Sequence, residues 1–466
     1  MLAIVAATLA LIALGDAWWR DRPLTRNPPA SRIGAPVRRA FLLVRPFQDL
    51  SPAPGLSYVS DGFTEALRVQ LGRMYPQALG VIGPTTARAY RGTAAPIGQI
   101  GRDLGVDWVL EGSVRVNGPR ALVTAALVQV RGTRTLWSDR FERDRTDLAA
   151  MQRDVAQEVS RVVAARLVPR PNLALAHLAT GSGPAYDACL RGEVARSGGT
   201  PDDLARAAEA FDEATRDDPD YAQAWVGLAE THLARRARLL DAPASALDRA
   251  GQAARRAVAL DPSLSGAHAA LGEVLALTDP HDPKAASELR RAINLDPSNV
   301  QARARDARLL MALGRTGEAL EQLGRAMAFD PRAAGLPAAQ GWAWYGSGDD
   351  ERAAAAFEAA LTLDPAYAFA YYGRGRIAER HARFDAAIAD FTRASTIAPD
   401  DAVYLGALGD ACAKTGRIEA ARAALRALQA LAMTRYVAPA DIRDLANGIG
   451  RAEALATAQR ARPMVH

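Results

Sequence analysis

Lysine is nearly missing from this chain: of its fifty-seven basic residues, only Lys284 and Lys414 are lysines. A phosphate-binding loop of the GxxxxGK kind needs a lysine in a glycine-rich turn, and neither residue has that setting. Cysteine is as scarce. Cys189 and Cys412 lie far apart, which excludes a disulfide framework and leaves too few thiolates for a zinc site. The histidines (177, 232, 268, 281, 381 and 466) are scattered, with no pair at metal-binding spacing. Arginine supplies most of the positive charge behind the net +5, yet no arginine-rich run is interleaved with aromatics, so no nucleic-acid footprint is present. These absences lead us to expect a non-catalytic protein with no cofactor and no metal.

What is present starts with an apolar run, "MLAIVAATLALIALG", followed by Asp16, Trp18, Trp19 and Arg20. Residues 1–19 are close to the ~17 to 25 needed to span a bilayer, and the tryptophans and arginine read as an interfacial belt. The expectation is a single N-terminal transmembrane helix. A cleaved signal peptide ending near Ala13 and Gly15 is the alternative, although its basic n-region is missing, and a buried core helix is a third. Residues 20–38, rich in proline and arginine without apolar periodicity, read as a linker.

Residues 39–168 read as an α+β domain with a mixed sheet. Short apolar runs at 40–47 and 78–84 predict strands, and 106–116, 120–130 and 134–143 predict three more, the first two joined at Asn117, Gly118 and Pro119. Helices are expected at 60–75, capped by Ser60 and Asp61, at 97–105, and over the stripe Leu148, Met151, Val155, Val159 and Val162. A second linker covers 169–184.

Beyond it, Asp-Pro pairs at 218/219, 261/262, 296/297, 330/331 and 364/365, with Ala398-Pro399 in the same role, set prolines 43, 35, 34, 34 and 34 residues apart. Twelve residues before each proline stands an alanine (207, 250, 285, 319, 353, 387), and five before stands another (214, 257, 292, 326, 360, 394). Between them fall Phe211, Leu289, Leu323, Phe357 and Phe391, with Ala254 as the exception. A 34-residue period with close-packing small residues resembles the tetratricopeptide repeat, an all-α superhelix. Six units are expected over 185–432, with a longer turn at 238–246 and a capping helix and tail over 433–466. Gly373, Gly375 and Ala378 have the spacing of a dinucleotide-binding fingerprint, but no strand precedes them, and Gly375 falls on the small position of a repeat.

The motifs "PFQDLS" (46–51), "YVSDGFTEAL" (58–67) and "DLGVDWVLEGSVRV" (103–116), with "LWSDRFER" (136–143), resemble the TolB amino-terminal-like α/β domain. That domain often precedes tetratricopeptide repeats in bacterial membrane-bound adenylate cyclase-like proteins and winged-helix transcriptional regulators. The resemblance implies a part lying beyond a single-pass inner-membrane helix, here without a cyclase or DNA-binding output domain, and nothing catalytic. It implies a periplasmic soluble part, whereas Arg20, Arg22 and Arg26 after the apolar run favour the cytoplasm. The periplasm is the expectation.

Isolated polar motifs have structural readings. Asp349 and Asp350 sit at a helix start, Ser182 in a linker, and Asp61 and Glu65 at the first turn of a helix. In the repeat register Arg308, Trp342, Tyr345, Tyr372, Arg376 and Glu379 fall on the wall of the superhelical groove, where exposed aromatics beside arginines suit capture of a protein or peptide; packing between helices is the other reading. The expected function is a membrane-tethered, signal-sensing interaction scaffold, with homo-oligomerisation open. The alternatives are a small-molecule or cell-envelope glycan sensor acting through the α/β domain, and an accessory subunit of a separately encoded cyclase or regulator.

Overall fold

A computed structural model describes residues 39–167 and 180–460. The expected membrane span at 1–19, the linker at 20–38 and most of the second linker lie outside these residues. Among the described residues no helix is long and apolar enough to cross a membrane.

The α/β domain is built on a mixed sheet in which β1 (Ala40–Val44) lies parallel to β3 (Leu79–Val81) and β4 (Trp108–Asn117). β4 continues antiparallel to β5 (Arg120–Gln129) and then to β6 (Arg134–Asp144), while the two-residue β2 (Gln48–Asp49) pairs with β4. Gly118, at φ +59°, makes the tight turn that lets Asn117 face Arg120. One face of the sheet is covered by α1 (Ser57–Met74) and α4 (Leu148–Leu167), and α2 (Pro84–Arg88) and α3 (Ile97–Leu104) complete the domain. The stripe Leu148, Met151, Val155, Val159 and Val162 is buried as its spacing predicted. α1 begins a turn earlier than its polar residues indicated. Leu56 is the N-cap, without a side-chain bond, and the Ser60 hydroxyl donates to the Ser57 carbonyl instead of capping, because fully buried Val59 is drawn into the core.

The described residues from 180 onward form seven antiparallel helix pairs, one more than expected. They are α5 (Gly183–Gly198) with α6 (Pro201–Asp217), α7 (Ala222–Ala237) with α8 (Pro243–Leu260), α9 (Ser265–Thr278) with α10 (Pro283–Leu295), and α11 (Val300–Ala312) with α12 (Thr316–Phe329). Then come α13 (Gly335–Gly346) with α14 (Asp350–Leu363), α15 (Ala368–Arg380) with α16 (Phe384–Ile397), α17 (Ala402–Lys414) with α18 (Ile418–Ala432), and a closing α19 (Pro439–Arg460). Ser182 is the cap of α5, its hydroxyl accepting from Ala185 N at 3.2 Å, and Asp349 caps α14 by accepting from Arg352 N. All twelve of the register alanines are fully buried. The glycine pair of the false nucleotide fingerprint receives two rings: a Cβ on Gly373 would lie 2.3 Å from Phe357, and one on Gly375 2.4 Å from Phe391.

The α/β domain and the repeats do not form separate bodies. One apolar cluster runs from β1 through α1 and α4 into the helices from α5 to α9. α1 is buried on both sides, the sheet taking Phe63, Leu67 and Leu71 while Gly62 meets Leu190 of α5 so closely that a Cβ would stand 2.8 Å from the Leu190 Cβ. Three successive repeat turns then grip the domain. Arg73 donates to Asp261 at 2.8 Å, Gly72 abuts Asp296, and Gly83 N donates to the Phe329 carbonyl at 2.6 Å. The irregular spacing near 238–246 has its own consequence: Leu239, at φ +55°, presents its carbonyl to Tyr436 N at 3.2 Å, joining the second repeat to the segment after the seventh.

Candidate functional site: an interdomain cleft

Because the repeats curve around the α/β domain, α1 and α2 face the first helices of successive repeats across a cleft of about 2590 Å³. Its walls are polar where the two parts face each other. On α1, Arg68 Nε donates to Glu65 at 2.9 Å; on α5, Arg196 donates to Glu193 at 2.6 Å. Farther along, Arg305 bridges Glu230 and Glu273, and Arg308 also pairs with Glu273. Burial pushes the carboxyl groups of Glu65 and Glu273 up, but their arginine neighbours outweigh it and hold both below the usual range. Arg236 lines the same space with a buried Nε that has no hydrogen-bond acceptor, and burial lowers its pKa.

The far end of the cleft is aromatic. Trp342 lies 5.2 Å from Phe369 and 5.5 Å from Tyr372, ring centre to ring centre, and its indole nitrogen is buried without an acceptor. Phe369, 37% exposed, and Tyr367 complete this end.

Of the six residues placed on the groove wall from the register, Arg308 and Trp342 line the cleft. Arg308 is exposed; Trp342 is not. Of the two readings of the register aromatics, exposure on the groove and packing between helices, the second describes Trp342, Tyr345 and Tyr372: all three are buried, each ring packed by neighbours on adjoining helices, with Phe357 and Phe369 on Trp342, Arg380 stacked 3.5 Å over Tyr345, and Phe391 and Tyr404 on Tyr372. Arg376 pairs with Glu379, which also binds Lys414, and neither Arg376 nor Glu379 lines the cleft. Asp61 and Glu65, read as helix-start residues, are ion-paired instead, Asp61 with Arg91 beyond α2 and Glu65 with Arg68 one turn on in α1.

Register alone could have found part of what was missed. Glu273, Arg308, Trp342 and Arg376 occupy one position of successive first helices, 35, 34 and 34 residues apart. The contributions of Glu65 and Arg68 from the other domain carry no such periodicity. Among the described residues no group of His, Cys, Asp or Glu is arranged to hold a metal ion.

The tetratricopeptide repeat family model matches residues 202–265, 338–402 and 383–435, so the chain carries tetratricopeptide repeats. A Rhizobium meliloti (strain 1021) protein that bears the name of an adenylate cyclase is 30% identical over 152 residues, 32% of this chain; the match spans only 26% of that relative's length. Among solved structures, the human IFIT1 dimer with m7Gppp-AAAA is similar at 15% identity, covering 67% of this chain and 70% of that one with a TM-score of 0.48. A tetratricopeptide repeat protein of Parabacteroides merdae is similar at 14% identity (57% and 98% covered, TM-score 0.40). YrrB, described as having an unusual peptide-binding site, is similar at 23% identity (43% and 97% covered, TM-score 0.29).

Proposed function

We propose that this protein is a non-catalytic interaction scaffold that holds an extended segment of a partner protein in the cleft between its α/β domain and its repeats. The observation that carries this reading is the cleft itself: charged donors and acceptors at one end and Trp342 with Phe369 at the other suit a peptide carrying both polar and apolar side chains. Arg308 contacts the partner directly. Tyr345, Tyr372, Arg376 and Glu379 brace the aromatic end.

A photoreactive phenylalanine analogue at Phe369 tests this, with one at Met433, which is 84% exposed and outside the cleft, as the comparison. The expected outcome is a partner adduct at Phe369 that disappears with Arg308→Glu. Equal adducts from both positions would sink the assignment.

We further propose that residues 1–19 tether the chain to the inner membrane, with the TolB-like domain and repeats on the periplasmic side, supported by the apolar run and the motif resemblance. Cys189 and Cys412 are both buried, so a Met433→Cys reporter is needed for labelling with a membrane-impermeant thiol reagent. Labelling only after lysis rejects the periplasmic placement. A second reading, favoured by the segment shared with the Rhizobium meliloti protein, is an accessory of a separately encoded cyclase. Failure of such a cyclase to co-purify with this chain removes it.

A further inference from the structure

The sheet treats its two edges differently. The β3 edge is closed by the repeats, with Gly80 against the Phe329 ring and Gly83 bonded to the Phe329 carbonyl. The β6 edge has β5 on one side and, among the described residues, no strand on the other. Ser138, Asp139, Arg140, Glu142 and Asp144 are all exposed there. A strand of eleven residues with one side unpaired offers a row of backbone donors and acceptors.

Its orientation is fixed by one bond. Arg145 N donates to Pro119 O at 2.6 Å, so by the alternation of an antiparallel ladder residues 139, 141 and 143 turn their amides towards β5, and 138, 140, 142 and 144 turn theirs outward. In keeping with this, the Arg140 amide finds only the neighbouring Asp139 carboxylate, at 2.7 Å.

Charged side chains on an edge usually discourage pairing. Here the signs are arranged antisymmetrically about one apolar residue, in the order Asp139, Arg140, Phe141, Glu142, Arg143. We infer that β6 pairs antiparallel with β6 of a second copy of this chain about a two-fold axis at Phe141, making one continuous sheet through both protomers. In that register Arg140 faces Glu142 of the other copy and Asp139 faces its Arg143, each twice, while Phe141 meets its own counterpart. The outward amides of Arg140 and Glu142 then pair across the axis. Centring the axis on Asp139, Arg140, Glu142 or Arg143 instead sets a charge against its own copy. The dimer leaves the cleft untouched and does not depend on what the cleft holds.

The test is sedimentation of the full chain in mild detergent, so that the apolar N-terminal run does not itself associate. The wild type is expected at dimer mass. Arg140→Glu and Glu142→Arg are each expected at monomer mass, since each sets like charges opposite each other. Mixing the two variants restores the dimer, because glutamates at 140 and 142 of one copy then face arginines of the other. Arg140→Pro, which removes an outward amide and leaves the bonds to β5 intact, is expected to abolish the dimer too. A wild-type monomer at the highest soluble concentration, or a dimer that survives in both charge variants alone, overturns the proposal.

Discussion

Asp330 and Asp364 stand at the same place in consecutive repeats, each just before the proline that follows a second helix, and they use their carboxylates differently. Asp364 is half-buried and accepts from Ala366 N two residues on, the local turn also made by Asp218, Asp261 and Asp296. Asp330, 2% exposed, turns away from its own loop and accepts from Thr85 N at 3.2 Å and from Thr86 N and Oγ1 at 2.7 Å. These are first-turn amides of α2, which has no side-chain cap of its own. A repeat aspartate thus caps a helix 244 residues away in sequence. The contrast extends to the regions around them. Helices α5 to α9 and α11 to α13 share apolar clusters with the α/β domain and serve as its cradle, whereas a separate cluster running from Ala334 to Ile449 contains no residue of that domain. The same repeat grammar supports both because its turns are free to bond inward or outward.

The most damaging way to break this comparison is at α1. Gly62→Val places side-chain atoms where Leu190, including its backbone Cα at 3.1 Å, already stands. We expect a loss of more than about 3 kcal/mol and separation of the α/β domain from the repeats. Gly324→Ala, where nothing lies within 4 Å, is expected to be neutral or slightly stabilising. Urea denaturation with a fluorophore on each part would report both, and a single unchanged transition for Gly62→Val would contradict the shared core.

The two aspartates come next. Asp330→Ala leaves buried donors without an acceptor and is expected to cost about 2 to 3 kcal/mol, with faster amide exchange in residues 84–88. Asp364→Ala removes an exposed turn bond and is expected to cost no more than about 0.5 kcal/mol. Equal losses would show that Asp330 does no more than its counterpart.

The cradle also carries a pH dependence of its own. His232, buried on α7 with Nδ1 unpartnered, has its pKa lowered to about 4 by burial first and by Arg249 second. The folded protein therefore binds fewer protons than the unfolded chain between about pH 4 and about pH 6.5. Its contribution is fully present above that window and is lost as pH falls through it. His232→Gln should flatten the stability profile across this range, and an unaltered profile would place the titration elsewhere.

How much of this was legible beforehand follows from the range of each interaction. The alanines at 207, 250, 285, 319, 353 and 387 were found because helix packing recurs with the repeat, and the α4 stripe because 3.6-residue periodicity is local. The helix start at Ser57 was missed, since Ser60 and Asp61 imitate caps and only the burial of Val59 overrides them. Whether the register aromatics stand exposed or pack between helices was left open by the sequence, because register fixes a direction and not whether a neighbouring ring fills the space in front of it.

The sequence by itself determined the repeat spacing, the strand order along the chain and the scarcity of lysine and cysteine, all properties of short windows or simple counts. Only the tertiary structure decided that α1 is shared between two cores, that Arg73 meets Asp261, that Asp330 caps α2, and that Leu239 reaches Tyr436. Those contacts join residues far apart in the chain, and nothing in the local pattern of either partner differs from that of a residue left in solvent. Their formation depends on the curvature accumulated over successive repeats, a sum of small packing angles that no single segment encodes.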